Sequence, residues 1–439
     1  MIVVFATNIT NRLRYIFELY FEELLNVPVS FTTEPDIFQK ESGLKINYSD
    51  QKFAVGQLDM RPHKLLFQTG LDYQNLSSVT CDEQLCLFPS SKDSFLPFDP
   101  FAAGFFIVTR YEEYLERQFG KHQRYPAKHS ILYRNKVLDR PVVNQWAMLI
   151  AQKLHEHDPN FSLPKPAFKF LTTIDVDNAW AFKNKSLGRL AGASLKSILQ
   201  GRVREMQSRF RVWAGKGDDP YDTYNYIREL YKGNEHLLQF FFLLGKSGRY
   251  DRNISAKNEE LRALIRSLAK DFKVGIHPSY RSNRVKGELF RERKVLEEII
   301  GKPVLSSRQH FLKLILPVTY RRLLKAGIRE DHTLGYAECV GFRAGIAAPF
   351  WFYDLKEEQK TNLRVFPFQS MDISLRDYMR KSPEEALELL KKMMLEVKKS
   401  GGTFISLWHN ESLSDVGRWS GWRKVFEEIT ALGLALENE

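Results

Sequence analysis

Beyond residue 166 the sequence settles into a repeat of short apolar runs, each followed by a helical pattern, and few folds accommodate that rhythm. The runs cover 168–174, 238–244, 273–276, 304–307, 333–336, 363–368 and 403–408. Apolar residues at helical spacing fill most of the gaps, at 221–231, 256–272, 291–300, 319–326, 382–400 and 421–432. Strands that are apolar along their whole length are covered on both faces, and alternation with helices joins neighbouring strands by crossovers. The expectation is a parallel sheet clothed in helices. Seven strands predict a (β/α) barrel slightly smaller than the eight-stranded form, with an open doubly wound sheet as the alternative.

The rhythm begins just after Asp-Pro-Asn-Phe-Ser-Leu-Pro-Lys-Pro (158–166), whose prolines break regular structure and mark a linker. Two domains are expected, a smaller α/β domain over 1–164 and the barrel over 165–439. The first opens with a strand at 2–5, a helix through Leu13, Ile16, Leu19, Tyr20 and Leu24, and extended pieces at 27–32, 44–48 and 64–68. Helices are expected at 101–115, carrying the cluster Arg110-Tyr-Glu-Glu-Tyr114, and at 142–157. No apolar run is long enough to span a bilayer, and the amino-terminal stretch lacks the pattern of a secretory signal, so a cytoplasmic location is expected. Three cysteines, Cys81, Cys86 and Cys339, suit neither a zinc site nor a disulfide framework.

In a parallel barrel the chemistry gathers where strands end. Here those ends are polar. The first closes on Thr-Thr-Ile-Asp-Val-Asp, bringing Asp175 and Asp177; the third on Gly-Ile-His-Pro-Ser-Tyr, bringing His277. The fourth closes on Ser-Ser-Arg-Gln-His, bringing Arg308 and His310, and the last on Ser-Leu-Trp-His, bringing His409, with His332 at the periphery. One carboxylate and two imidazoles leave open positions on a divalent ion, Zn²⁺ first among the transition metals that fit. A second carboxylate can then take a proton from water, a further histidine can protonate a leaving amine, and an arginine can hold the base ionised.

The order of these pieces resembles the NodB-homology polysaccharide deacetylases (carbohydrate esterase family 4), over roughly residues 168–435. Thr-Ile-Asp-Val-Asp is similar to the family's aspartate pair, which implies Asp175 as base and Asp177 as metal ligand. Gly-Ile-His277-Pro-Ser-Tyr-Arg281 matches the first half of the His-Ser/Thr-x-x-His motif. Gly-Lys-Pro-Val-Leu-Ser-Ser-Arg308 and Leu407-Trp408-His409 resemble the later motifs, implying roles for Arg308 beside the base and His409 as the acid. Arg281 stands where the family has its second metal histidine, and His310 is the candidate to replace it. The family's Asp-x-x-Asp-Trp is absent; Asp331 is nearest in order and, with Arg343 of the polar stretch 341–350, is expected at the substrate cleft. The activity implied is hydrolysis of an N-acetyl group from an amino sugar. Two readings stand beside it: a glycan-binding relative without metal, and a metal hydrolase of another amide or ester.

The net charge of +12 suggests an anionic partner, but no zinc finger, P-loop or RNA-binding signature accompanies it, and nucleic acid is not expected. Much of the charge lies in 181–217, where Leu195, Ile198, Leu199, Val203, Met206, Phe210 and Trp213 recur at helical spacing among lysines and arginines. That pattern fits a helix lying at the inner, anionic membrane surface, or equally a helix packed on the barrel with a solvated basic face. At a membrane, a lipid-linked saccharide becomes an attractive substrate.

Overall fold

A computed structural model describes residues 1–54, 56–76, 78–81, 84–116, 118–184 and 203–439. The chain begins with β1 (Ile2–Phe5), a wholly buried apolar strand flanked in parallel by β2 (Val29–Thr32) and β3 (Leu44–Asn47), with β4 (Leu58–Asp59) beyond β3. The helix Asn11–Glu18 is capped by Thr10, whose hydroxyl accepts from the Leu13 amide at 3.1 Å. A hairpin of β5 (Ser78–Cys81) and β6 (Gln84–Leu87) and the helices Pro100–Val108 and Val142–His157 complete this part.

Two local expectations are corrected here. The segment 64–68 is a 3₁₀ turn, Lys64–Phe67, because the His63 ring accepts from the Leu65 amide and curls the chain. The helix expected over 101–115 is broken at Arg110, which adopts φ 56° before a second helix at Tyr111–Leu115. The break aims the buried Arg110 guanidinium at Glu112 and Glu113, at 2.7 and 2.8 Å.

The strand–helix alternation does build a parallel sheet. Its strands are β7 (Phe168–Val176), β8 (Leu238–Phe242), β9 (Lys273–Ile276), β10 (Ser306–Ser307), β11 (Glu330–Asp331), β12 (Phe350–Asp354), β13 (Gln359–Val365), β14 (Ser370–Met371) and β15 (Gly402–His409). Among the described residues the order is β12-β13-β11-β10-β9-β8-β7-β15-β14, parallel throughout except for the β12–β13 pair. The ladder expected at 333–336 forms instead at β11, since Asp331 is turned back onto the Thr333 amide and hydroxyl and ends the strand there. One segment has two neighbours: the chain runs directly from β13, which pairs with β11, into β14, which pairs with β15.

Helices Glu259–Asp271, Glu288–Ile300, Pro383–Ser400 and Trp422–Asn438 occupy the expected intervals. A single apolar cluster runs from Ile2 and Phe101 through Phe240 to Phe426, so both parts share one core. The β12–β13 hairpin meets the first part: the Tyr15 hydroxyl donates to the Trp351 carbonyl at 2.7 Å, and Arg12 pairs with Glu358. Of the basic stretch 181–217, residues 185–202 lie outside the described residues, and the chain continues from there as a helix, Val203–Trp213. No helix among the described residues is long and apolar enough to cross a membrane.

Candidate metal centre and surrounding cavity

Strand geometry delivers the polar ends to one place. The β8–β9 ladder continues one residue past β9, the His277 amide donating to the Phe242 carbonyl at 2.9 Å, so His277 stands at the rim. Beyond β10 the Arg308 amide bonds the Ile276 carbonyl and the His310 amide bonds the Pro278 carbonyl, which seats His310 beside His277 with ring centroids 5.0 Å apart. Across β7 and β15, His409 is the register partner of Asp175. These groups wall a cavity of about 160 Å3 lined by Asp175, Asp177, His277, His310 and His409 together with Arg124, Gln309, Phe311 and Tyr378.

Donor atoms of Asp177, His277 and His310 lie within 4.8 Å of one another. The hydrogen bonds behind them fix which atoms face inward. His277 Nδ1 sits 2.5 Å from the Arg308 carbonyl, which can only accept, so this nitrogen carries the proton. His310 Nδ1 sits 2.9 Å from Asp251, a carboxylate already accepting from the Tyr280 amide. Both Nε2 atoms therefore turn lone pairs towards Asp177, at 3.2 Å from one oxygen and 3.4 Å from the other. One of those oxygens, Oδ1, is buried without a hydrogen bond. Three electron-pair donors converging on one point repel each other unless a cation lies between them, which is what a divalent ion would supply.

The electrostatics agree. Desolvation raises the Asp177 carboxyl, but the facing His310 and His277 rings overcome it and hold it well below the ordinary carboxylate range. His310 loses basicity by burial and regains more from Asp177 and Asp251, ending at about 9. In the absence of an ion, a proton on His310 is the cation the carboxylate calls for.

Asp175 is buried 3.7 Å from His277 and 3.4 Å from the Arg308 guanidinium, itself held by Thr173 and by the His332 carbonyl. His409 Nδ1 faces Asp372 at 2.9 Å, and the same carboxylate accepts the His409 amide at 2.8 Å. Burial lowers the His409 ring; Asp372 first, then Asp177 and Asp175, push it up to about 10.

Other expected residues stand elsewhere. Arg343 is buried in a bidentate pair with Glu113 of the first part, 2.7 and 2.9 Å, and Asp331 is buried against Ser307 and Thr333; neither lines the cavity. The physical reason is shared: each is already committed to buried partners. His332 is also interior, stacked on Phe366 at 4.5 Å. Arg281 leaves the site towards Glu288, 3.9 Å away. Asp251 and Asp372, which orient His310 and His409, were not expected, nor was Arg124, which the first part sends into the cavity wall. A larger cavity of about 780 Å3, edged by Asn184, Lys246 and Arg281, holds none of the residues named for the chemistry.

Residues 2–159 match a family model described as a family of unknown function, DUF7033. No curated protein matches the sequence. Among solved structures the chain is similar to a Mycobacterium smegmatis protein assigned as a polysaccharide deacetylase, at 16% identity and a TM-score of 0.39, covering 61% of this chain and 85% of that one. A Pseudomonas aeruginosa PAO1 protein assigned likewise is 12% identical with a TM-score of 0.39, covering 71% of this chain and 92% of that one. Puue allantoinase is 11% identical with a TM-score of 0.37, covering 61% of this chain and 85% of that one.

Proposed function

We propose that this chain is a metal-dependent hydrolase that removes the N-acetyl group of an amino sugar. The observation that carries the reading is the convergence of Asp177, His277 and His310 with both ring Nδ1 atoms tied off behind them. The substrate class is what the resemblance of the strand-end motifs to the polysaccharide deacetylases implies. We also read the parallel wall as a closed barrel of seven strand positions, because the continuous β13–β14 segment pairs with β11 on one side and β15 on the other.

Asp177, His277 and His310 would hold a divalent ion, Zn²⁺ or another transition metal, which supplies polarisation of a carbonyl and a lowered pKa for water. Asp175, kept oriented by Arg308, takes the proton of the attacking water. His409, with Nδ1 committed to Asp372, presents Nε2–H to the departing nitrogen. A C–O bond forms at the acetyl carbon, the C–N bond breaks, and the proton from His409 completes the free amine beside acetate. The small cavity suits an acetyl group at its floor.

Elemental analysis and acetate release from acetylated amino sugars test the reading together. The wild type is expected to hold about one ion per chain and release acetate, while Asp177→Ala and His310→Ala lose both. A wild type that retains no metal after incubation with divalent ions overturns the hydrolase and leaves a glycan-binding protein. Bound metal without sugar turnover points to another amide or ester.

For the membrane, we propose that the helix Val203–Trp213 rests on an anionic bilayer surface. Support comes from Phe210 and Trp213, 55% and 64% exposed on a helix that buries Val212. Failure of the protein to bind anionic vesicles at physiological salt would remove it.

A further inference from the structure

The catalytic cavity opens sideways into a second, larger one of about 530 Å3, with which it shares Asp177, His310 and Phe311. The first part of the chain builds one wall of this groove. There Lys121 and His122 sit on a tight turn, with His122 at φ 63° and Gln123 at φ 60°. The turn is pinned across the cleft: Arg124 donates to the Phe311 carbonyl at 2.6 Å and to the Tyr378 hydroxyl at 3.2 Å. The His122 ring lies 4.7 Å from Phe311 and 5.5 Å from Tyr250. Phe311 is itself held at φ 60° and Leu312 at φ 50°, left-handed backbone that bulky residues rarely take and that collects at functional sites.

The charge of the groove is one-sided. Lys121, Arg249 and Arg252 line it, and its only acidic lining residue among those described is Asp177, which the proposed ion would neutralise. Among the described residues neither these three cations nor Arg124 has a carboxylate partner. Positive charge is also felt within the wall. Burial first, then Arg124, Lys121, Lys313 and His310, lower the His122 ring below its ordinary value. Exposed cations on a protein surface normally intersperse with acids; a cleft lined by one sign focuses its field on an incoming ion. Between the cations stands an aromatic floor, with Tyr250 packed at 4.4 Å on Tyr280 and the Arg249 guanidinium 5.4 Å from the Tyr250 ring centre. A flat ring bordered by guanidinium groups suits a sugar face whose neighbouring substituent is a carboxylate or phosphate.

We propose that this groove is an oxyanion subsite: the saccharide carries a carboxylate or phosphate on the part adjoining the acetylated unit, and Lys121, Arg249 and Arg252 hold it. The assignment rests on the hydrolase reading for the identity of the adjoining sugar, and on the groove itself for the charge. It also gives the first part of the chain a role, as the wall that supplies Lys121 and locks Arg124 over the mouth.

The test is calorimetric binding to the full chain loaded with Zn²⁺, with acetate release followed separately. Three probes are compared: a neutral disaccharide of N-acetylglucosamine, the same disaccharide with a uronic acid as its second unit, and N-acetylglucosamine 1-phosphate. At least one anionic probe is expected to bind about tenfold tighter than the neutral one at low salt, with the margin shrinking at high salt. Which anionic probe gains decides between carboxylate and phosphate. The combined Lys121→Ala, Arg249→Ala, Arg252→Ala variant should lose the preference, whereas Arg249→Lys with Arg252→Lys keeps most of it. Equal binding of all three probes, no binding of any, or a preference that survives the triple variant overturns the subsite. Preferential anion binding that the triple variant abolishes, with no acetate released from any probe, supports the subsite while removing the reading as an amino-sugar deacetylase.

Discussion

At the scale of single residues, the site is a set of side chains whose second atoms are spoken for. His409 is kept protonated by Asp372, so replacing that carboxylate has a directional consequence. In Asp372→Asn the ring should lose basicity from about 10, and the loss of rate at high pH should begin at lower pH than in the wild type, which pH–rate profiles on an acetylated amino sugar will read. An unchanged alkaline limb would separate His409 from proton donation. His310 titrates at about 9 without metal, so at pH 7 a proton must leave it before an ion can bind. Calorimetry in buffers of different ionisation enthalpy should therefore find about one proton released per ion, with apparent affinity falling as pH drops. Asp175, Asp177, His277 and His409 could be picked from the sequence because each ends or directly follows a readable apolar strand. Asp251 and Asp372 could not. Asp251 belongs to a loop, and Asp372 follows β14, a ladder of two residues too short to show a period. Arg343 misled because a polar-tipped loop looks the same whether its arginine faces solvent or an interior glutamate.

Among the elements, the rim that carries His277 and His310 depends on how closely the inner strands approach. A methyl group on Gly275 in β9 would come within 2.6 Å of the Phe241 ring and 2.8 Å of the Ser306 carbonyl. Gly275→Ala should destabilise the protein by about 1–3 kcal/mol in denaturant unfolding, and should also loosen metal binding, since His277 and His310 hang from the ladders on either side of this strand. A neutral effect on both would mean the wall yields more readily than its packing implies. The β7 and β15 runs were legible as strands because bulky apolar residues fill them. The β12–β13 hairpin was not: Phe-Trp-Phe-Tyr-Asp runs straight out of the loop-like stretch 341–350, and only the end of β13 falls in an apolar run.

For the whole molecule, the two parts are joined by a buried ion pair as well as by their shared apolar core. Glu113 accepts from Arg343 on one side and Arg110 on the other, and the two guanidinium groups hold its carboxyl below the usual range despite burial. Glu113→Ala would strand the buried Arg343 and leave Arg110 with Glu112 alone, a loss of roughly 3–5 kcal/mol that thermal or denaturant unfolding should reveal. A loss well below that range would show the interface relaxing to let water reach the arginines. The strand–helix rhythm after residue 166 predicted the parallel architecture, while the embrace of the two parts was invisible, because Arg12, Glu113 and Arg124 meet partners more than 180 positions away.

The register of β7 against β15 carries a further consequence, for the life of the chain before it is finished. Thr172 and Ser406, facing each other in that ladder, are 234 positions apart, and the same ladder sets Asp175 opposite His409. Synthesis proceeds from the amino end, so Asp175 is made long before His409, and the strand that carries His409 emerges only after every other wall strand. A nascent chain halted between His310 and β15 carries Asp175, Asp177, His277 and His310, yet not His409. On the roles proposed above, the proton donor is thereby the last part of the site to be made, an order of assembly written into the succession of strands.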